Sequence, residues 1–381
     1  MKIAFAYESV YPWFNGGIEK RRYNILRSLA KNKSNEIHMF TLYRKGMPGM
    51  EFKYDGVHYH CLGKALDINK MYRGESRTMY MSLKFSVLLF FKILKYRFDI
   101  IDTEAFPFLH IPLLALYSRL RRTKLAITWH EVWSKSYWLS YMGKGGNFGY
   151  FMEQLAAKLG YVHIASTTTT KQLLEKFFGI EPDKILVLPA AVYSDEIKSF
   201  LRRNADKCKK EDKFVVVNRL VKYKRTDIAI RAMRDVNAKL VIIGNGPELD
   251  NLRELADKEH IKDKVEFKQN ISIEQLYKEL CTSTALIVPS AREGLSLITV
   301  EALALGVPVA VVNTTMLPEE IKSLCSEVEE DKLDRLLNDM LKNRHKYEKE
   351  YEEKRSKVMS MFSSDAAEEI YRKIEESGQK T

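Results

Sequence analysis

The chain of 381 residues carries a net charge of +12, with 45% hydrophobic and 29% charged residues and a mean hydropathy of −0.30. That length exceeds what one core ordinarily serves, so two domains are expected, and the balanced composition excludes a disordered or fibrous chain. The charge is lopsided: residues 1–190 hold 28 Lys and Arg against 15 Asp and Glu, whereas the remainder holds 34 against 35, so the first half is the one that invites an anionic membrane surface or a nucleic acid.

The N-terminal Met-Lys-Ile-Ala-Phe-Ala-Tyr turns polar too soon for a signal peptide and reads as a first buried strand over 3–7. Strands follow at 36–42, 58–62, 100–103, 125–128, 163–166 and 185–188, with helices at 18–32, 80–96, 111–120, 149–159 and 168–178. This alternation predicts a parallel sheet covered on both faces. The most apolar run, 85–91, lies between Lys84 and Lys92 and is far too short to span a bilayer. Its helix reads as a core helix with a polar edge. Residues 190–213 turn polar and read as a linker. A second series then alternates strands at 214–218, 239–243, 265–267, 285–288 and 309–312 with helices at 226–233, 248–260, 273–280 and 297–305. A charged helical run covers 327–361, and Ser363 and Ser364 are placed to cap a last helix at 365–376. The expected architecture is α/β: two doubly wound Rossmann-like domains, 1–190 and 191–361, facing a cleft, with 362–381 returning to the first. Cys61, Cys208, Cys281 and Cys325 form no CxxC pair. They read as separate thiols of a reducing, cytoplasmic compartment.

Chemistry concentrates where strands end. Pro289-Ser-Ala-Arg-Glu293-Gly294-Leu-Ser-Leu-Ile-Thr-Val-Glu301 places one glutamate in a strand-exit loop and a second on the next helix. Ligands of open α/β sheets bind at such carboxyl ends. Two carboxylates suit a ligand rich in hydroxyls, and the N–H groups of Gly294, Leu295 and Ser296 suit a phosphate. Together these describe a nucleotide sugar. Gly16-Gly17, before the first helix, lets backbone approach an anion, but the pattern is not GxGxxG. Arg219 and Lys224 follow the first strand of the second series and suit a diphosphate. Gly244-Asn-Gly246 reads as a tight turn lining the ligand site. His130 leaves a strand of the first domain within reach of a sugar hydroxyl. His58-Tyr-His60 reads as one face of a strand, and no metal site or cofactor is expected.

These motifs resemble those of the retaining glycosyltransferases of family 4, which have the GT-B fold. The family's Glu-x7-Glu corresponds to Glu293 and Glu301, its Gly-Gly loop to Gly16-Gly17, and its Arg…Lys segment to Arg219 and Lys224. Its strand-end His corresponds to His130 and its Gly-x-Pro-Val to Gly306-Val-Pro308-Val309. The resemblance implies that Glu301 holds the ribose and Glu293 the donor sugar. It implies that Arg219, Lys224, Gly16, Gly17, Gly244 and the N–H groups of Gly294–Ser296 serve the rest of the donor, and that His130 lies near the reacting sugar. It further implies metal-independent transfer with retention, and an acceptor that is lipid-linked or a glycan, met at the cytoplasmic membrane face rather than on nucleic acid. The alternatives are a GT-B protein that binds nucleotide sugar or membrane without transfer, and a sugar-nucleotide epimerase of the same fold. Asn218 stands where the family usually has glycine, and Ala190-Ala191 where many members have Asn-Gly.

Overall fold

The computed structural model describes residues 1–66, 72–73, 76–77, 79–189, 194–204 and 208–377, so the Ala190-Ala191 departure lies outside the described residues. The chain divides into two compact units, Met1–Ala191 with Ser364–Thr381, and Val192–Ser363.

In chain order the first unit holds β1 (Lys2–Ala6), α1 (Gly17–Lys31), β2 (Glu36–Tyr43), β3 (Glu51–Tyr54), β4 (Val57–Lys64), β5 (Tyr72–Arg73), β6 (Ser76–Arg77) and α2 (Met79–Ile93). It continues with β7 (Ile100–Glu104), α3 (Ile111–Arg121), β8 (Lys124–Trp129), α4 (Lys135–Met142), α5 (Gly146–Leu159), β9 (Val162–Ala165), α6 (Thr168–Phe178) and β10 (Ile185–Val187). The second unit holds α7 (Ser194–Asn204), β11 (Lys213–Val217), α8 (Thr226–Ala232), β12 (Lys239–Ile243), α9 (Leu249–Lys258), β13 (Val265–Lys268), α10 (Ile273–Thr282) and β14 (Ala285–Val288). After these come α11 (Leu297–Ala304), β15 (Val309–Val312), α12 (Glu319–Lys322), β16 (Ser326–Val328), α13 (Leu333–Lys342) and α14 (Arg344–Met361). The last helix, α15 (Ala366–Glu376), belongs to the first unit.

The first sheet has the order β10-β9-β8-β7-β1-β2-β4-β3. Its pairs are parallel except β3 with β4. Alternation along β1 explains the two cores. Ile3 and Phe5 pack with Ile25, Leu26 and Leu29 of α1 and with Ala367, Tyr371 and Ile374 of α15. Ala4 and Ala6 face the opposite layer, with Phe85 and Leu89 of α2 and Leu114 of α3. The α15 helix is also tied by its rim, where Asn32 and Asn35 donate to the Glu368 carboxylate at 2.8 and 2.9 Å. The second sheet is parallel throughout, in the order β13-β12-β11-β14-β15-β16. Each sheet reverses its winding beside its own first strand, at β1/β7 and β11/β14, and these are the switch points where open α/β sheets bind ligands.

Several expectations fail for local reasons. The linker reading of 190–213 misses α7, whose polar face hides buried Ile197 and Phe200. The run 327–361 breaks at Asn343 into α13 and α14, with β16 preceding them. The Ser363/Ser364 cap does not form: Asp365 is the N-cap and makes no side-chain capping bond. Helix α4 was hidden in an aromatic loop, and Ser134 caps it by accepting from the Tyr137 N–H at 3.2 Å. The separate-thiol reading fails at Cys208 and Cys281, which are bonded with Cα atoms 5.3 Å apart. Their 73-residue separation left no local motif to betray the pair. Cys61 and Cys325 are free thiols. The α2 helix is apolar on both sides: Met81, Phe85 and Leu89 are buried, while Tyr80, Leu83, Val87 and Phe91 form an exposed stripe. Among the described residues, no helix is long and apolar enough to cross a membrane.

Candidate functional site

In the second unit, the loops leaving β11, β12, β14 and β15 are laced to one another through their backbones. The Leu220 N–H donates to Asn245 at 2.9 Å and the Ala291 N–H to Tyr223 at 2.8 Å, while Glu293 donates to Met316 at 2.8 Å. Glycine at 244 and 246 is required by this lacing. An added Cβ would lie 1.8 Å from the Asn218 oxygen and 2.2 Å from the Leu220 oxygen.

On this frame Lys224 and Glu293 meet, Nζ to Oε1 at 2.7 Å, with side chains 15% and 12% exposed. The Ser290 hydroxyl donates to the same Oε1 at 2.6 Å. An Nζ has three donors, so this pair leaves Lys224 able to take a phosphate oxygen without releasing Glu293. Arg219 lies earlier on the same loop and donates to the Tyr223 hydroxyl at 3.0 Å. Glu301 sits on α11, 3% exposed. Its Oε1 accepts from Tyr277 of α10 at 3.1 Å. Gly294, Leu295 and Ser296 enter α11, with Ser296 in the left-handed region (φ 51°) and its hydroxyl 2.7 Å from that of Thr299. Thus Lys224 and Glu293 are brought into contact, Arg219 stands on the same loop as Lys224, and Glu301 is bonded by the hydroxyl of Tyr277.

In the first unit, Gly16 is the extended N-cap of α1. The Glu19 carboxylate folds back against it and accepts from Ser9 at 2.7 Å; a Cβ on Gly16 would meet Glu19 Oε2 at 2.2 Å. A side chain at Gly16 would therefore have to displace the end of the Glu19 side chain. Gly17 opens the helix itself.

His130 leaves β8 and its Nε2 lies 2.7 Å from Glu104 Oε2 at the end of β7. Behind Glu104, Arg22 of α1 donates through Nε to Glu104 Oε1 at 2.8 Å and through Nη1 to Asp102 Oδ2 at 2.6 Å. Asp102 also accepts from Thr128 at 2.8 Å and from the hydroxyl of Tyr371 on α15. Arg22, Asp102 and Glu104 are buried. Burial alone raises the Glu104 carboxyl, but Arg22 and His130 outweigh it and hold the group down at about 2. Burial beside Asp102 pushes the Tyr371 hydroxyl well up. Asp102 and Glu104 went unnoticed in the sequence, although Ile-Ile-Asp-Thr-Glu sets two carboxylates on one face of an otherwise buried strand. Arg22, Tyr277, Ser290 and Tyr371 carried no comparable mark.

His58 and His60 lie on β4, as read from their alternation, and join a polar cluster. His38 Nδ1 is 2.8 Å from His60 Nε2, and His38 Nε2 is 2.8 Å from Glu36. Among the described residues no group of three His, Cys, Asp or Glu gathers as metal ligands.

Two family profiles divide the chain: Glycosyltransferase Family 4 matches residues 15–196, and Glycosyl transferases group 1 matches residues 198–357. The chain belongs to the family 4 glycosyltransferases, and its fold is GT-B, built from two Rossmann-like units. An uncharacterized glycosyltransferase of Methanocaldococcus jannaschii is 31% identical over 170 residues, 41% of this chain and 44% of the relative. A GDP-mannose-dependent alpha-(1-6)-phosphatidylinositol monomannoside mannosyltransferase of Mycobacterium tuberculosis is 31% identical over 120 residues, 28% of this chain and 31% of the relative. The matched stretches thus span less than half of these curated relatives. Sucrose-phosphate synthase from Thermosynechococcus elongatus superposes with TM-score 0.78 at 15% identity, over 99% of this chain and 100% of that one. Anabaena HepE in complex with UDP superposes with TM-score 0.71 at 13% identity, over 99% and 100%.

Proposed function

We propose that this protein is a retaining, metal-independent glycosyltransferase that moves a sugar from a nucleotide-sugar donor to an acceptor hydroxyl. The observation that carries the reading is the contact of Lys224 with Glu293 at the β11/β14 switch point, with Arg219 on the same loop. The donor's diphosphate is assigned to Arg219 and Lys224, supported by Gly16, Gly17, Gly244 and the N–H groups of Gly294, Leu295 and Ser296. Its ribose is assigned to Glu301, its sugar to Glu293 and His130. As the bond from the anomeric carbon to the diphosphate oxygen breaks, charge collects on the leaving phosphate, where two cations stabilise it. The acceptor oxygen then bonds to that carbon on the face just vacated. Its proton passes to the leaving phosphate oxygen, and configuration is kept.

The first unit is the proposed acceptor side, and a lipid-linked acceptor at a membrane face is supported by its surface. Phe91 of α2 and Leu120 of α3 are 65% and 64% exposed. Lys95, Arg97, Arg119 and Arg122 are exposed near the ends of the same two helices. Apolar stripes flanked by cations suit an anionic interface.

The test is thermal stabilisation by a panel of nucleotide sugars, since a ligand of the native state raises apparent stability. One donor is expected to stabilise. Glu301→Ala is expected to abolish that shift, and Lys224→Ala to lower turnover by about 10²-fold, the scale of one lost charge-stabilising donor. A panel without effect, or variants with unaltered kinetics, removes the assignment. Vesicle binding is expected to need anionic lipid and to fall with salt.

A further inference from the structure

His130 meets Glu104 through Nε2 at 2.7 Å. A carboxylate can only accept, and Arg22 keeps Glu104 in that form by donating to its other oxygen at 2.8 Å. The hydrogen in the contact therefore belongs to His130 Nε2. In the neutral ring this leaves Nδ1 as a bare lone pair. The His130 side chain is 13% exposed, and among the described residues its only other hydrogen bonds are to its backbone oxygen, from Ser166 at 3.4 Å and Thr170 at 3.3 Å. Those two bonds hold the residue's backbone while Glu104 holds its ring.

We propose that Glu104 is a positioning residue that fixes His130 as the Nε2–H tautomer, so that Nδ1 accepts a hydrogen bond from a substrate hydroxyl. The inference rests on the transferase reading for its substrate, though not for the state of the ring. The opposite tautomer would donate at Nδ1 and favour a carbonyl or phosphate oxygen there. The one presented selects a donor, and among the parts of an activated sugar the hydroxyls are the donors that fit. Arg22 makes the arrangement one-sided: it engages only Oε1 of Glu104 and leaves Oε2 to the imidazole. Asp102 balances Arg22 and is itself held by Thr128 and Tyr371. The last helix of the chain is thereby linked to the ring through three charged side chains.

The test is the ring nitrogen spectrum of the full 15N-labelled chain at pH 8, with His130 assigned by a His130→Gln variant. The wild type is expected to show a protonated Nε2 and an unprotonated Nδ1. Glu104→Gln is expected to mix the tautomers, and Glu104→Asp, which keeps the charge but shortens the reach, to restore part of the preference. With a donor found by the stabilisation panel, Glu104→Gln is expected to lower kcat about tenfold to a hundredfold, the scale of a lost orienting partner, and to displace the pH profile. A wild-type Nδ1–H tautomer, or a tautomer unmoved in Glu104→Gln, overturns the proposal regardless of catalysis. An Nδ1 resonance unmoved by saturating donor overturns the hydroxyl contact. The expected tautomer in a protein that turns over no nucleotide sugar upholds the role of Glu104 and refutes the transferase reading alone.

Discussion

The two units solve the same topological problem with opposite electrostatics. Each reverses its sheet beside its first strand, yet the first sets a fully buried ion pair at the switch point and the second one that keeps some contact with solvent. Arg22, Asp102 and Glu104 are buried, and every contact among them is internal. Lys224 and Glu293 keep 15% and 12% of their side chains in solvent. A fully desolvated pair gives fixed geometry but cannot trade partners cheaply; a partly solvated one can. The first unit therefore holds the His130 ring against a buried ion-paired carboxylate, and the second holds an ion pair that still meets solvent. The molecule supplies its own means of telling the units apart: Trp13, Trp129, Trp133 and Trp138, all four tryptophans, lie in the first. Tryptophan fluorescence reports that unit alone, while far-ultraviolet dichroism reports both.

The largest expected effect comes from breaking the internal pairing. Arg22→Met leaves Asp102 and Glu104 buried together without the guanidinium that hydrogen-bonds both of them. A cost of about 3–5 kcal/mol is expected, the range for a buried ion pair that loses one member. Denaturant unfolding followed by fluorescence should shift to a much lower midpoint, with the dichroism of the second unit still unfolding where it did. An unshifted fluorescence transition would mean that the two carboxylates find other partners and that the contrast between the units is false.

The second unit has one constraint the first lacks. The Cys208–Cys281 bond joins the segment before β11 to α10, the helix that carries Tyr277. Reduction is expected to destabilise this unit by about 2–4 kcal/mol. The fluorescence transition should stay in place while the dichroism transition moves down, and Cys208→Ser should reproduce the result without reductant. Movement of both transitions would show that the units do not unfold independently.

Much of this was legible in the sequence because hydrophobic periodicity sets elements directly. Lys239–Ile243, Ala285–Val288 and Val309–Val312 are strands within the residues expected, and Thr168–Phe178 is the helix expected. Strand-end positions were equally visible, which is why Glu293, Lys224, Arg219 and His130 could be placed at the loops they occupy. Partners chosen across long separations were not visible. Nothing local in Cys208 or Cys281 marks the bond between them, and Arg22 looks like any other helix cation until α1 buries it against β7. The exposed stripe of α2 was misjudged because periodicity reports which residues are apolar, not which of two apolar faces is covered.

Acid should separate the units more gently. His38, His110 and His163 are buried, and burial lowers each to about 4; His60 is lowered by burial as well. All four lie in the first unit, whereas His260 and His345 of the second are exposed. The folded state thus favours the neutral rings. Their contribution is complete above the unfolded value of about 6.5 and is lost as pH falls from there toward about 4. Between pH 6.5 and 5 the fluorescence midpoint temperature is expected to fall faster than the dichroism midpoint of the second unit. Parallel decline would place the acid-sensitive groups elsewhere.

The smallest effect sharpens the view of the second unit as a site of held but exchangeable groups. Tyr277 donates to Glu301 at 3.1 Å, and both residues are buried. Tyr277→Phe removes one hydrogen bond to a charged acceptor and keeps the ring, so a loss of about 1–2 kcal/mol is expected in the dichroism transition. If Glu301 is the ribose ligand, its carboxylate also loses one of the groups that orient it, and the stabilising donor should bind several-fold more weakly with kcat little changed. A fall in kcat with donor affinity intact would instead place Tyr277 nearer the transferred sugar than the ribose, and Glu301 with it.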